Sequence, residues 1–111
     1  MLYFVFIVTN YYNSTFYVGV TDSLDRKDIQ DVLENDNRLI KISSHKLVYF
    51  EEHRDVVHAI IRENQIKNYN RSRKLQLIRA MNKDWIDLLE PHSQVASSSL
   101  SPLLLQTSAS I

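Results

Sequence analysis

The chain has 111 residues, 44% of them hydrophobic and 23% charged, a composition typical of one soluble globular domain. It contains no cysteine, which excludes disulfide bonds, thiolate zinc sites and a thiol nucleophile. The formal net charge is zero, so the overall charge gives no argument for a nucleic-acid partner. No segment has the features of a targeting signal or the ~20 apolar residues of a membrane span, so we expect a cytoplasmic protein that does not bind membranes.

The first residues predict a β-hairpin. The run from Leu2 to Thr9 is rich in aromatic and β-branched side chains, as in a strand buried on both faces. Turn residues occupy positions 10–14, and a second strand follows from Thr15 to Thr21. On that strand Tyr17 and Gly19 share one face. Gly19 is the only glycine of the chain and indicates a bulge or a close approach to the backbone.

The remainder predicts helices and one further strand. In chain order these are a helix capped by Asp22 or Ser23 and ended by residues 35–37, a loop over 38–45, a strand Lys46–Glu51, and helices Val56–Tyr69, Ser72–Met81 and Asp84–Glu90. Residues 91–111 are rich in Ser and Leu and carry no charged side chain, which predicts a disordered tail after a domain of residues 1–90. Leu103–Leu105 is apolar enough to dock on the domain or on a partner.

Glu63 stands out because it falls among the apolar positions of the predicted helix that begins at Val56. An acid in that position must be paired, bound to a cation or placed at the edge of a cleft. Lys67, one turn later, is correctly spaced for an ion pair. The alternative is a ligand role, since a single carboxylate with waters and phosphate oxygens suits Mg²⁺. The spacing alone leaves both open.

Basic side chains are concentrated after Glu63. They are Lys67, Arg71, Arg73, Lys74 and Arg79. Such a cluster is either a solvated helix face or a surface that contacts phosphate. Tyr17 is similarly ambiguous, because strands favour packed tyrosines as well as functional ones.

Five segments, taken in order, resemble the motifs of the GIY-YIG nuclease superfamily. They are Tyr17–Gly19, Asp22–Lys27, His45–Glu52, Ala59–Lys67 and Met81–Leu88. Their order and separations are similar to those of the small single-domain bacterial proteins of this superfamily, relatives of the excision-repair nuclease N-terminal domain and of homing endonucleases. The resemblance covers about residues 2 to 90. It implies an α+β fold, a three-stranded antiparallel sheet flanked by three to four helices.

The resemblance also implies chemistry, namely phosphodiester hydrolysis with one divalent ion, Mg²⁺ or Mn²⁺, on nucleic acid and on DNA in particular. Tyr17 would activate or orient the attacking water, and Glu63 would ligate the metal. Lys27 or Arg26 would clamp the phosphate, and Gly19 would let the backbone pass close to it. The basic residues Lys67, Arg71, Arg73 and Lys74 are the expected nucleic-acid contacts.

Three positions depart from the family pattern. Phe6 stands where a tyrosine is expected and lacks its hydroxyl. Lys27 replaces an arginine and cannot form a bidentate fork on phosphate. Asp31 replaces a His or Tyr and is spaced to pair with Lys27. The resemblance therefore implies an endonuclease with weakened activity. The alternative is a catalytically degenerate domain that acts as a nucleic-acid-binding or protein-interaction module.

Overall fold

The computed structural model describes residues 1–36 and 40–89. The predicted tail, residue 90 at the end of the last predicted helix, and residues 37–39, where the first predicted helix gives way to the loop, lie outside this part of the chain. The elements are strands β1 (Tyr3–Asn10), β2 (Phe16–Thr21) and β3 (His45–His53), helices α1 (Arg26–Asn35), α2 (Val56–Lys67) and α3 (Arg71–Met81), and a short 3₁₀ turn (Ile42–Ser44). The predicted strands and the helices up to Met81 agree with these bounds to within a few residues.

The three strands form one antiparallel sheet in the order β2-β1-β3. The central strand β1 is paired on both sides, with Phe6 opposite Gly19 of β2 and Phe50 of β3. The register with β3 shifts between Ile7 and Val8, where β3 carries one extra residue. The predicted sheet with flanking helices is thereby confirmed, and β2 is left as an edge strand.

Helices cover both faces of the sheet. On one face, α1 contributes Ile29 and Leu33 to a buried cluster with Phe6 and Tyr17. On the other face, α2 and α3 contribute the core residues Ala59, Ile66 and Ile78, which pack with Val5, Ile7 and Val18. The alternation of side chains along β1 and β2 assigns successive residues to opposite faces. As expected from its composition, β1 is buried on both faces.

Helix α1 begins later than the sequence predicted. Its N-cap is Asp25, whose carboxylate accepts a 2.8 Å hydrogen bond from the Asp28 amide, so the expected cap at Asp22 or Ser23 is wrong. The Thr21 hydroxyl donates to the Ser23 carbonyl and accepts from the Ser23 amide. These two bonds hold the residues just before α1 in a turn, so the helix cannot begin there. The Asp28 amide bond lowers the pKa of Asp25. The predicted Asp55 cap of α2 is confirmed by its bond from Val57.

The predicted helix after residue 83 is wrong for the part that the structure describes, residues 84–89. Asn82 instead donates to the Val48 and Ile86 carbonyls and accepts from the Ile86 amide. Asp87 accepts from the Leu47 amide at 3.1 Å, and the segment runs along β3. These side-chain bonds take up backbone groups that a helix would have paired internally.

Gly19 faces the ring of Phe6 across the β1–β2 pair. A Cβ atom at this position would lie 2.7 Å from Phe6 Cζ and 3.0 Å from Tyr17 Cε2. The expected close approach is therefore made by a buried aromatic side chain of the core. The proposed passage of Gly19 past a phosphate stays a prediction.

Gly19→Ala should destabilise the domain by about 1–3 kcal/mol, because Phe6 is fully buried and has no room to withdraw. Urea unfolding of the wild type, Gly19→Ala, Phe6→Leu and the double variant measures the coupling free energy between positions 19 and 6. The shorter leucine should relieve the clash and reduce the cost of the alanine. An equal cost in both backgrounds would show that the Phe6 contact is not its cause.

Candidate functional site

Tyr17 lies in β2 with its ring in the core on the α1 face. It is 4% exposed and packs with Phe6, Ile29 and Leu33. Its hydroxyl donates a hydrogen bond to the carboxylate of Asp36, the C-cap residue of α1. The side chain is thus a packed aromatic whose polar atom is bonded to the end of the neighbouring helix.

Glu63 lies on the stripe of α2 that faces the sheet, between the buried residues Ala59 and Ile66. Its side chain is 16% exposed. The ion pair that the spacing allowed is present, with Lys67 Nζ 2.9 Å from Glu63 Oε2. A carboxylate this enclosed needs a cation beside it, and Lys67 provides one.

The Tyr17 hydroxyl and the Glu63 carboxylate are not brought together in this arrangement. The Tyr17 ring packs against α1, whereas Glu63 belongs to the helix on the opposite face of the sheet. Tyr17 donates to Asp36 and Glu63 pairs with Lys67. Their joint action on one water molecule stays a prediction that requires a rearrangement of these partners.

The two candidate phosphate clamps at the start of α1 have internal partners. Lys27 is 83% exposed and pairs with Asp31 at 3.1 Å, the contact that their spacing suggested. The hydrogen bond to Asp31 raises the pKa of Lys27, which stays charged. Arg26 donates to Asp87 at 3.4 Å and so connects α1 to the C-terminal segment. Neither side chain is directed by these contacts toward Glu63.

A pocket of about 250 Å³ lies at the edge of β2. We call it the β2-edge pocket; it is lined by Phe16, Tyr17, Val18, Lys67 and Lys74. It combines two residues of the Tyr17–Gly19 motif, the lysine that pairs with Glu63, and a lysine of α3. Two ammonium groups beside an edge strand suit an anionic ligand such as phosphate.

A larger pocket, of about 380 Å³, lies near the start of α1. Asp22, Asp28 and Asp31 are among its lining residues. Like charges would repel a phosphate there, so this pocket is the weaker candidate for nucleic acid despite its size.

The other predicted nucleic-acid contacts are held by aromatic rings and loop carbonyls. Arg71 donates to the carbonyls of Asn13 and Ser14 and lies 5.1 Å over the Phe16 ring. Arg73 lies 4.4 Å from the centre of the Tyr69 ring. Both are exposed, so their guanidinium groups still contribute positive charge beside Lys74 at the start of α3.

A family model described as the GIY-YIG catalytic domain matches residues 2–76. The chain belongs to the GIY-YIG family. Membership indicates a nuclease-type domain that interacts with nucleic acid, and nucleases of this family generally use divalent metal ions. Comparisons with curated proteins and with solved structures gave no match.

Within the described residues, the fit of a divalent ion to this GIY-YIG domain rests on Glu63. Among residues 1–36 and 40–89, no three His, Asp or Glu side chains are grouped to hold a metal. Glu63 offers one carboxylate, which has acceptor positions left beside Lys67. Mg²⁺ commonly uses one or two carboxylates with waters and substrate phosphates, so Glu63 fits such a site.

A polar network between β3 and α2 was missed at the level of sequence. Glu51 accepts two bonds from Arg62, at 2.8 and 3.1 Å, and further bonds from Tyr49 and His53. Arg62 also donates to the Tyr69 hydroxyl at 3.1 Å. The network joins β3 to α2 at Arg62, the residue that precedes Glu63. The signal in the sequence was an arginine on a helix preceded by an acid-rich strand end, which is common and unspecific.

The network shifts the pKa values of its members. Burial opposes ionisation of Glu51, but the bonds from Arg62, Tyr49 and His53 outweigh it and lower the pKa of the carboxyl. Burial, together with the bond to Glu51, raises the pKa of Tyr49 to about 12. Glu51 is therefore charged and Tyr49 neutral at physiological pH.

No helix within the described residues is long and apolar enough to cross a membrane.

Glu51→Gln should destabilise the domain by about 1–3 kcal/mol at pH 7, because Arg62 would lose its charged partner. A lowered pKa in the folded state gives a stabilisation that is present above the unfolded value of 4.5 and lost as pH falls through the folded value. Urea unfolding from pH 7 to pH 3 should therefore show the wild type and the variant converging in stability. If the difference in unfolding free energy between wild type and variant stayed constant with pH, the stabilisation could not come from the ionised Glu51 carboxylate.

Proposed function

We propose that the protein is a metal-dependent endonuclease of the GIY-YIG type that hydrolyses phosphodiester bonds of DNA, with activity weakened by its altered motif. The observation that carries the proposal is Glu63, a carboxylate 16% exposed on the sheet-facing stripe of α2. Its partner Lys67 also lines the β2-edge pocket, together with Lys74.

The residues of the chain have distinct tasks in this proposal. Glu63 would hold the divalent ion, which when bound supplies an activated water and neutralises charge on the phosphate. Lys67 and Lys74 would bind the phosphate backbone at the β2-edge pocket. Tyr17 would orient the attacking water only if its hydroxyl left Asp36 and its ring left the core on the α1 face. A phenol is a weak base at neutral pH, so its role is orientation rather than proton removal.

The altered positions account for weakened activity. Phe6 is fully buried and offers no hydroxyl. Lys27 is a point charge that already pairs with Asp31, so a phosphate must compete with an internal carboxylate. Losing one preorganised group of this kind commonly costs about 10²–10³ in rate.

Glu63→Gln should abolish cleavage while leaving the fold intact, because glutamine keeps the shape of the side chain and removes its charge. The measurement is Mg²⁺-dependent nicking of supercoiled plasmid by the purified chain. Glu52→Gln is the matched control, since Glu52 is an exposed acid of β3. If the wild type cleaves no faster than Glu63→Gln, the enzymatic proposal fails.

A second function is favoured by the internal pairing of the motif residues. Tyr17 is bonded to Asp36 and Lys27 to Asp31, an arrangement that suits a catalytically degenerate domain. Such a domain would bind nucleic acid through the lysines of the β2-edge pocket without cleaving it. Binding without cleavage distinguishes this candidate from the first.

The double variant Lys67→Gln/Lys74→Gln should weaken DNA binding and reduce its dependence on salt. Each lost phosphate contact lowers the slope of log K against log salt by about 0.9, so the slope should fall by about 2. Fluorescence anisotropy with a labelled duplex in EDTA measures this without cleavage. The double variant Lys41→Gln/Lys83→Gln removes the same charge from exposed positions. Equal effects of the two would show that total charge, not the pocket, governs binding.

A further inference from the structure

Two tyrosines at the tip of the β1–β2 hairpin are exposed. Tyr11 is 59% exposed and Tyr12 is 90% exposed. Neither belongs to either core cluster. Exposed neighbouring aromatic rings offer apolar area that folding has not used, which is typical of an interaction surface.

The loop that carries these tyrosines is held in one shape. Asn10 Oδ1 accepts from the amides of Ser14 and Thr15, and its Nδ2 donates to the Ser14 hydroxyl at 2.8 Å. The Asn13 amide closes a turn on the Asn10 carbonyl, and Asn13 has a positive φ of 56°. The rings are therefore presented on a fixed support, which lowers the entropic cost of binding.

Positive charge is attached directly to the same loop. Arg71 donates to the carbonyls of Asn13 at 3.1 Å and Ser14 at 3.2 Å. Lys74, three residues later on α3 and so on the same side of the helix, lines the β2-edge pocket with Phe16. Arg71 thus contacts both the loop that carries the exposed rings and Phe16, which lines the β2-edge pocket.

We propose that Tyr11 and Tyr12 form a stacking surface for unpaired nucleobases of a strand whose phosphates bind Arg71 and the β2-edge pocket. This rests on the proposed function and specifies its substrate class: nucleic acid with an unpaired, single-stranded segment. Aromatic rings beside a positive groove are the arrangement that binds single strands, because every base has a face that stacks. A paired duplex keeps its bases stacked on each other and cannot use these rings.

Tyr12→Ala should weaken binding of a labelled single-stranded oligonucleotide by about 5- to 150-fold, the loss expected for one stacked base. Binding of a duplex should change less than about twofold. Tyr12→Phe, which keeps the ring, should bind like the wild type, and Ile61→Ala removes exposed apolar area from α2 as the matched control. Anisotropy in EDTA measures affinity without cleavage, and thermal melting checks that the variants fold.

A strand with abasic sites isolates the role of the bases, because it keeps every phosphate. The wild type should prefer the strand that carries bases, and Tyr12→Ala should lose this preference. The proposal is overturned if the wild type binds both strands equally, or if Tyr12→Ala still prefers the strand that carries bases. Either result leaves the proposed function standing where binding to duplex DNA persists. Absence of binding to every nucleic acid removes the proposed function as well. Tyr12-dependent self-association by analytical ultracentrifugation, without base-dependent binding, would assign the rings to a second copy of the chain and overturn the proposal.

Discussion

The burial of strand β1 on both faces is the constraint on which the rest of the structure depends. Residues Val5 to Val8 are 0–1% exposed, so helices must cover both faces of the sheet. Because β2 follows the register of β1, successive side chains of β2 are assigned to opposite cores. Tyr17 therefore packs under α1, and α2 with Glu63 lies on the other face. Core packing is therefore sufficient to explain where the motif residues Tyr17 and Glu63 lie, without any reference to catalysis.

Local patterns were sufficient to predict most of the fold. The apolar run of β1, the alternation in β2 and the Asp55 cap each depend on neighbouring residues, and each prediction agreed with the structure. One error lay where groups distant in sequence determine the structure. Residues 84–89 have a helical composition, but Asn82 and Asp87 bond to strand β3, 34 and 40 residues earlier in the chain. The N-cap of α1 at Asp25 instead depends on a local contact, because the Thr21 hydroxyl holds Ser23 in a turn.

In the candidate site, too, contacts within one helix could be predicted from the sequence, and contacts between elements could not. Helical periodicity indicated both the burial of Glu63 and its pair with Lys67, since both depend on one helix. The partner of the Tyr17 hydroxyl was not predictable, because Asp36 lies 19 residues away and reaches Tyr17 only through the packing of α1. The exposed tyrosines of the hairpin have no periodic signature, and their relation to Arg71 depends on how α3 docks.

On the proposed function, the Glu63–Lys67 pair couples the binding of phosphate to the binding of metal. Lys67 Nζ neutralises a carboxylate that is largely enclosed, so removing it alone would leave an uncompensated charge. A phosphate that drew Lys67 toward the β2-edge pocket would leave Glu63 in need of another cation, which a divalent ion would supply. The exposed Lys27–Asp31 pair imposes no such coupling, because water screens its charges. The two ion pairs are thus alike in spacing, but on the proposed function the buried pair would link metal binding to substrate, whereas the exposed pair would not.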